Sequence, residues 1–491
     1  MKTTKEKMPS VFDSRKVKEI YEEIRAVYLN DNRPWVLGYS GGKDSSCAAQ
    51  LVYSALMGLP KEKLTKPVYI ISSDTLVETP VIVDHITQNL RLISESAKKH
   101  GLPIETALVT PEVSDTFWVN LIGKGYPAPS TNFRWCTERM KIKPANRFIL
   151  DKVAKFGEVI VILGVRMGES TTRDQVLSFH RLPGQLLSKH STLPNAFVYT
   201  PIVEFTVDDV WNYLLQNPSP WGGDNRRLVT LYKNAAAGEC PLVVDTTTPS
   251  CGQSRFGCWV CTVVTADKSM EAMIDNGEDW MLPMLEFRDL LSSTQTPENK
   301  KKYRDFKRRN GHSLINRSNE EELARGPYLF EFRKELLKKL LLIQKEVQKN
   351  GPMKSLELIT RDEMLQIRRL WMTEQQDWAD SVASIHKEVF GKEILESKDD
   401  SALFSGDDFK LLDQISKEEG VDPLLVARLL GKEKEKDLLS RRSKIFTDLE
   451  NIFEEVWESE AEVLKSMKDR KHRKDTLLGL KFATESEVEA L

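Results

Sequence analysis

Residues 35–46, Trp35-Val-Leu-Gly-Tyr-Ser-Gly-Gly-Lys-Asp-Ser-Ser46, constrain this chain more than any other stretch. Val36 and Leu37 lead as a short apolar run into a glycine-rich bend. A helical pattern starts near Asp44 and puts Cys47, Ala48, Leu51, Val52, Ala55 and Leu56 on one face. That reads as strand, anion loop, helix, with Cys47 in the core. Such a bend presents backbone N–H groups, and the helix start adds the positive end of its dipole. Ser40, Gly41, Gly42, Lys43, Asp44, Ser45 and Ser46 are therefore candidates for holding a phosphate. Lys43 supplies a point charge, and the serines supply hydroxyl donors. The spacing is not that of a Walker loop, which needs four residues between its first glycine and the Gly-Lys pair.

The chain around this loop alternates strands with helices. An amphipathic helix is expected over 11–30, strands at 66–74, 104–109 and 159–164, and helices at about 81–99 and 144–156. Alternation of this kind predicts right-handed crossovers and an α/β fold, a mainly parallel sheet with helices on both faces. Ligands in such sheets sit beyond the C-terminal strand ends. Ser40, Asp74 and Arg166 all follow strands there.

A chain of 491 residues is too long for one simple core. Hydrophobic and charged contents of 40% and 29% suit a soluble globular protein. No apolar run is long enough to span a bilayer, and the N-terminus has no apolar export segment, so a cytoplasmic location with no membrane partner is expected. A net charge of −2 argues against a uniformly basic nucleic-acid binder, so any such surface must be local. Six cysteines in such a chain read as ligands or reactive thiols rather than a disulfide framework.

Four ordered segments carry a resemblance. Ser-Gly-Gly-Lys-Asp-Ser resembles the loop of the PP-loop ATP pyrophosphatases. Asn132-Phe-Arg-Trp-Cys-Thr-Glu-Arg-Met-Lys-Ile-Lys-Pro144, Gly164-Val-Arg-Met-Gly-Glu-Ser-Thr-Thr-Arg173 and Thr200-Pro-Ile-Val-Glu-Phe-Thr-Val-Asp-Asp-Val-Trp211 resemble segments of phosphoadenylyl-sulfate (PAPS) reductase-like members. The last is similar to the closing strand and helix of that domain. The resemblance covers roughly residues 15–220 and implies cleavage of ATP between its α and β phosphates. Gly164, Arg166 and Arg173 would then border the nucleotide, the arginines holding phosphate or sulfate oxygens. Glu169 would orient an arginine or help place Mg²⁺, and Asp74 would hold Mg²⁺ or a ribose hydroxyl. A surface ion-pair network is the competing reading for each. Lys43, Asp44, Arg166 and Cys136 are the catalytic candidates. Cys136 lies among Arg134, Arg139, Lys141 and Lys143, a setting that favours thiolate and a persulfide relay. A small packed residue in a substrate loop is its other reading.

Cys240, Cys251, Cys258 and Cys261 fall in one Gly-, Thr- and Pro-containing stretch. One Cys-x-x-Cys with two further thiols suits a 4Fe-4S cluster, with structural zinc as the competitor. Glu239-Cys240-Pro241 departs from the Glu-Cys-Gly nucleophile segment of the reductases. The combination resembles the DndC family, the PP-loop subunit of bacterial DNA phosphorothioation, and the related SspD subunit. That resemblance implies ATP, Mg²⁺ and a 4Fe-4S cluster as cofactors. It also implies DNA as substrate, a cysteine desulfurase as sulfur donor, and DndD and DndE as partners. PAPS reduction, tRNA thiolation and a redox-sensing scaffold are the alternatives.

Three regions are expected: an α/β domain at 1–225, a cysteine-rich region with a basic segment at 226–315, and a helical extension at 316–491. Lys300–Asn310 interleaves basic and aromatic residues, which suits phosphate contacts and stacking, or else a solvated helix face. Helices are expected at 327–350, 361–371 and 414–430, with apolar residues at helical spacing in 440–467. A linker at 396–405 and a basic cluster at Lys468–Lys474 complete the pattern.

Overall fold

The computed structural model describes residues 9–168, 175, 185–235, 257–394, 404–437, 444–471 and 473. They fall into two compact units. One comprises Met1–Phe117, Pro129–Leu290 and Glu346–Leu358. The other comprises Trp118–Ala128, Leu291–Lys345 and Ile359–Leu491.

The first unit is built on a six-stranded sheet of order β3-β2-β1-β4-β6-β5. Its strands are β1 (Trp35–Gly38), β2 (Val68–Ser73), β3 (Ile104–Val109), β4 (Val159–Ile162), β5 (Leu187–Lys189) and β6 (Ala196–Tyr199). All neighbours are parallel except β5, which runs antiparallel to β6. The register puts Trp35 beside Val68 on one side and Ile160 on the other. The chain moves outward from β1 through β2 to β3, then returns to β4 on the opposite side of β1. The β1/β4 gap is therefore the point where the winding reverses, and it opens a crevice above the strand ends.

Both faces of the sheet are covered because both faces are apolar. Val36, Tyr69, Ile71, Val159 and Val161 form a buried cluster with Ile149, Phe148 and Val153 of α4 (Lys143–Phe156). Earlier in the chain come α1 (Val17–Leu29), α2 (Lys43–Met57) and α3 (Pro80–His100). α2 packs against α1 and α5 (Val207–Gln216) and is buried around most of its surface, which its small residues Ala48, Ala49 and Ala55 permit. α6 (Asn225–Ala235) follows. Its Asn225 donates to the carbonyls of Leu214 (2.7 Å) and Asn217 (3.1 Å), tying it to the end of α5. A Thr206/Asp209 capping box starts α5, and Asp209 also accepts from Ser10 and the Val11 N–H. After the cysteine stretch come α7 (Lys268–Asp275) and α8 (Leu282–Ser293).

The strands and helices of the core match their expected positions except the first helix, expected over 11–30, which runs Val17–Leu29 after a separate 3-10 turn at Val11–Asp13 because Lys16 between them is extended, and α/β with a mainly parallel sheet is the fold. The resemblance placed the closing strand in Thr200–Trp211. The strand is Ala196–Tyr199, and 200–203 is a turn, because Pro201 has no N–H to give a ladder. Two π-helical turns, Val119–Gly123 and Thr137–Ile142, were not expected.

In the second unit, α9 (Pro297–Tyr303) leads to a hairpin, β7 (Ile315–Asn316) and β8 (Asn319–Leu323). The rest is helical: α10 (Phe330–Asn350), α11 (Arg361–Glu374), α12 (Ser381–Phe390), α13 (Gly406–Glu419), α14 (Pro423–Asp437), α15 (Ile445–Phe453) and a helix over 460–471. The single helix expected at 414–430 is two, because Gly420 caps α13 in the left-handed region (φ 68°). The first π turn belongs to this unit. Trp371 Nε1 donates to the Ile122 carbonyl at 3.0 Å, Arg333 to the Gly123 carbonyl at 2.9 Å, and the Ala128 N–H to Tyr328 Oη at 3.0 Å. Among the described residues, no helix is long and apolar enough to cross a membrane.

Candidate active site

The loop closes on itself before it meets any ligand. Tyr39 N–H extends the β1–β2 ladder to the Ile71 carbonyl at 2.8 Å. Ser45 Oγ accepts from the Ser40 N–H (3.2 Å) and donates to the Gly42 carbonyl (3.0 Å). Gly41 takes φ +70°, and a Cβ there would lie 2.6 Å from Ile86 Cγ1, so the turn needs glycine on both counts. Gly42 is the N-cap of α2, and the Lys43 N–H donates to Tyr232 Oη at 3.2 Å.

Beneath the loop lies a buried charge cluster. Asp44 Oδ2 accepts from Lys43 Nζ at 2.8 Å, and Asp44 Oδ1 accepts from Arg166 Nε. Relative exposures are 3% for Lys43, 6% for Asp44 and 4% for Arg166. Two cations meet on one carboxylate at the N-terminus of α2, where the helix dipole adds its positive end, a setting suited to an entering polyphosphate. Gly164 makes this possible. It carries the exit of β4 so close to α2 that a Cβ would stand 2.7 Å from the Asp44 carbonyl oxygen. Arg166 follows two residues later, and the Met167 N–H donates to the Val203 carbonyl at 2.9 Å.

A cleft with about 640 Å³ of empty space opens at the loop. Tyr39, Ser40, Gly41 and Gly42 form its floor. Ile82, His85 and Ile86 of α3 and Leu228, Leu231 and Tyr232 of α6 form apolar walls, and Ser73, Glu78 and Lys141 complete it. Glu78, His85, Lys141 and Tyr232 were not singled out from the sequence. The one signal for His85 was its place between Ile82 and Ile86 on an apolar stripe.

Asp74 stands at the end of β2, its N–H donating to the Val109 carbonyl at 2.9 Å. Burial, followed by the nearby Glu78 charge, raises its carboxyl above the ordinary value, and the Leu76 N–H only partly offsets this. With its folded pKa raised, Asp74 contributes stability below the unfolded carboxylate pKa. That contribution is lost as pH rises through the folded value. At neutral pH its ionised form is a cost that a bound cation relieves. Asp74→Asn is accordingly expected to raise the melting temperature of the ligand-free protein and to remove the extra stabilisation that Mg²⁺ adds to nucleotide. Thermal melts with ATP, with and without Mg²⁺, check both signs.

The second half of the cysteine stretch sits against this cleft. Cys258 bridges antiparallel to Glu78, the Trp259 N–H donates to the Val77 carbonyl at 3.0 Å, and Thr79 donates to the Gly257 carbonyl. Thr75 Oγ1 is 3.3 Å from Cys258 Sγ, which also lies 3.7 Å from Glu78 Oε1. Glu78 in turn pairs with Lys141 at 3.2 Å. Burial and then the Glu78 carboxylate push the Cys258 thiol well above its ordinary value. The Cys261 N–H donates to the Cys258 carbonyl at 3.0 Å, the tight turn that lets a Cys-x-x-Cys present both thiols to one metal. Cys240, Cys251, Glu169 and Arg173 lie outside the described residues, and among the described residues no group of three or more His, Cys, Asp or Glu forms a metal set.

Arg288 holds this turn from behind. It is 1% exposed and donates to the carbonyls of Cys261 (2.9 Å), Thr265 (3.0 Å) and Val264. Arg288→Met strips three carbonyls of their donor, each worth about 1–3 kcal/mol if left buried. The expected result is a several-fold faster reaction of Cys258 and Cys261 with a thiol reagent, followed residue by residue by mass spectrometry.

Cys136 is half-buried at the start of the second π turn and does not line the cleft. The neighbouring Trp135 stacks on Phe117 with centroids 5.3 Å apart. Three of the cations around it face carboxylates: Arg139 and Lys143 face Asp115 at 3.9 and 3.3 Å, and Lys141 faces Glu78.

In the second unit several residues of the basic runs are paired within the chain. Arg304 donates to the Gly326 carbonyl at 2.8 Å and to the Arg325 carbonyl, Lys301 pairs with Glu322 at 2.7 Å, and Arg309 pairs with Glu374. Lys468 and Lys471 pair with Glu321 and Glu320. Residues 395–403, most of the expected linker, and 472 and 474 of the second basic cluster lie outside the described residues.

A strand-loop-helix with a buried Lys–Asp–Arg cluster at the switch point of a parallel sheet defines an α/β domain with an anion-binding type of loop. Residues 34–264 match the phosphoadenosine phosphosulfate reductase domain family, so this part of the chain is similar to that domain. An uncharacterized protein of Methanocaldococcus jannaschii is 24% identical over 245 residues, 50% of this chain. The match covers 38% of that relative's length. Among solved structures, NAD+ synthetase from Burkholderia pseudomallei is 18% identical with a TM-score of 0.27, covering 44% of this chain and 71% of that one. The U34-tRNA thiolase from Methanococcus maripaludis with its 4Fe-4S cluster is 16% identical with a TM-score of 0.26, covering 44% and 74%. FMN adenylyltransferase from Candida glabrata with FAD and pyrophosphate is 13% identical with a TM-score of 0.26, covering 43% and 61%.

Proposed function

We propose that this protein cleaves ATP to AMP and pyrophosphate to activate a backbone phosphate of DNA for replacement of a non-bridging oxygen by sulfur. The observation that carries the reading is the position of Glu78, which lines the loop cleft and lies against Cys258. It sets a cysteine of the four-thiol stretch beside the nucleotide loop. The DNA target rests on the likeness to the DndC family.

In this reading Lys43, Arg166 and the N–H groups of Gly41 and Gly42 neutralise the polyphosphate, and Asp74 with Glu78 would receive Mg²⁺. A DNA phosphate oxygen attacks the α phosphorus, the bond to the β phosphate breaks, and pyrophosphate leaves. The terminal sulfur of a persulfide then attacks the adenylylated DNA phosphorus, and AMP departs with the former DNA oxygen. A second thiol cleaves the remaining S–S bond, leaving the phosphorothioate and a disulfide. The persulfide comes from a cysteine desulfurase, and Cys136 is a candidate carrier. Cys240, Cys251, Cys258 and Cys261 would hold a 4Fe-4S cluster, which when bound supplies a redox-active, sulfur-binding centre. DndD and DndE are the expected partners.

The test incubates the full chain with ATP, Mg²⁺, DNA, a cysteine desulfurase and cysteine, with DndD and DndE present. Pyrophosphate release and phosphorothioate dinucleotides after nuclease digestion are measured. Release of pyrophosphate that depends on DNA, together with sulfur in the digest, is expected. Intact ATP, sulfur found only in tRNA, or free sulfite would overturn it.

A further inference from the structure

His85 is 4% exposed, lines the loop cleft, and leaves its Nε2 without a hydrogen-bond partner. Its tautomer follows from its neighbours. Trp221 Nε1, which can only donate, gives its proton to Asn89 Oδ1 at 3.1 Å. That orients the Asn89 amide so that Nδ2 donates to the His85 carbonyl (2.9 Å) and faces His85 Nδ1 at 3.4 Å. Nδ1 is therefore the acceptor, and the ring proton sits on Nε2. Burial, then the Arg227 charge, lower the imidazole pKa to about 4, outweighing the Gly41 backbone and Asp84, so the ring is neutral. The Gly41 backbone lies close enough to act on the ring but makes no aligned hydrogen bond with Nε2, and a buried N–H donor left in that state is costly and uncommon and calls for a water, an ion or a ligand. Ser73 Oγ, in the same cleft, is a second buried polar atom without a partner.

The ring lies against the turn of the loop, with His85 Cδ2 3.4 Å from where a Gly41 Cβ would be. A donor at this place lies beside the glycine turn of the loop, where an anion held by that turn would come within its reach. A neutral donor also adds a bond without a third cation beside Lys43 and Arg166. We propose that His85 Nε2–H donates to an oxygen of the β or γ phosphate of bound ATP, an inference that rests on the ATP reading above. His85 then grips the pyrophosphate that leaves, in addition to the loop.

Calorimetric titration of the full chain with three probes tests this: Mg-ATP, Mg-pyrophosphate and adenosine. His85→Ala is expected to weaken ATP and pyrophosphate alike by roughly ten- to a hundredfold, the worth of a hydrogen bond to a charged group. Adenosine affinity should stay unchanged. His85→Gln, whose amide N–H reaches toward the Nε2 position, should recover most of the loss, and His85→Asn, whose amide falls short, should not. If the alanine variant does not fold, the Gln/Asn pair carries the comparison alone. Pyrophosphate binding equal to wild type in His85→Ala, equal affinities in the Gln and Asn variants, or a loss shared by adenosine overturns the proposal. Wild-type protein that binds neither ATP nor pyrophosphate overturns the ATP reading itself, and this inference with it.

Discussion

Asp44→Ala is expected to destabilise the α/β unit by about 3–5 kcal/mol and to abolish pyrophosphate release, because it removes the anion from between two buried cations. Lys43 and Arg166 are 3% and 4% exposed, and without the Asp44 carboxylate each keeps its desolvation cost while losing its attraction to that group. Lys43→Ala should behave differently. Asp44 keeps Arg166, so the fold loses much less, yet the charge that meets the polyphosphate is gone and turnover should fall roughly a hundredfold or more. Urea midpoints of both ligand-free variants, with their pyrophosphate release rates, separate the two roles. An Asp44→Ala protein as stable as wild type would remove the cluster as the keystone of the site.

The second large effect is expected from a single methyl group. Gly164→Ala places a Cβ 2.7 Å from the Asp44 carbonyl oxygen, 2.8 Å from Ser45 Cα and 2.9 Å from the Asp44 carbonyl carbon. These are backbone atoms, so no side chain can swing aside. The exit of β4 must move away from α2 at a cost of about 1–3 kcal/mol. Arg166, two residues on, moves with it. A displacement approaching 1 Å at a reacting site costs on the order of a hundredfold in rate. Gly164→Ala should therefore lower both the melting temperature and pyrophosphate release. A variant that is fully active would show that this close approach is not what positions Arg166.

Much of the first unit was legible because its signals are local. An apolar run such as Val68–Ile71 has few alternatives to a buried parallel strand, and Ser-Gly-Gly-Lys-Asp-Ser after a strand has few alternatives to an anion loop. Gly41 and Gly164 stood out only as loop and motif residues, and the approach of Ile86 and of the Asp44 backbone shows why each must be glycine. The basic residues near Cys136 looked like an activating field. In the structure Arg139, Lys141 and Lys143 face Asp115 and Glu78, each pair 24 or more residues apart in sequence (139 − 115 = 24) and so invisible to a local reading. In the basic segment at 300–310, Arg304 meets a carbonyl and Lys301 and Arg309 meet glutamates from other elements, partners a local reading could not see.

By itself the sequence determined the order of elements, the loop chemistry and the presence of a cysteine stretch, since these depend on residue type and on spacing within a few turns of chain. Tertiary structure alone decided which distant side chains share a site. It put Arg166 on Asp44, Glu78 against Cys258, and the donor of His85 in the cleft. It also assigned Trp118–Ala128 to the second unit, against Arg333 and Trp371. The reason is that packing is settled by which apolar faces meet and which buried polar groups find partners. Those are properties of pairs of surfaces, and no single stretch of chain contains them.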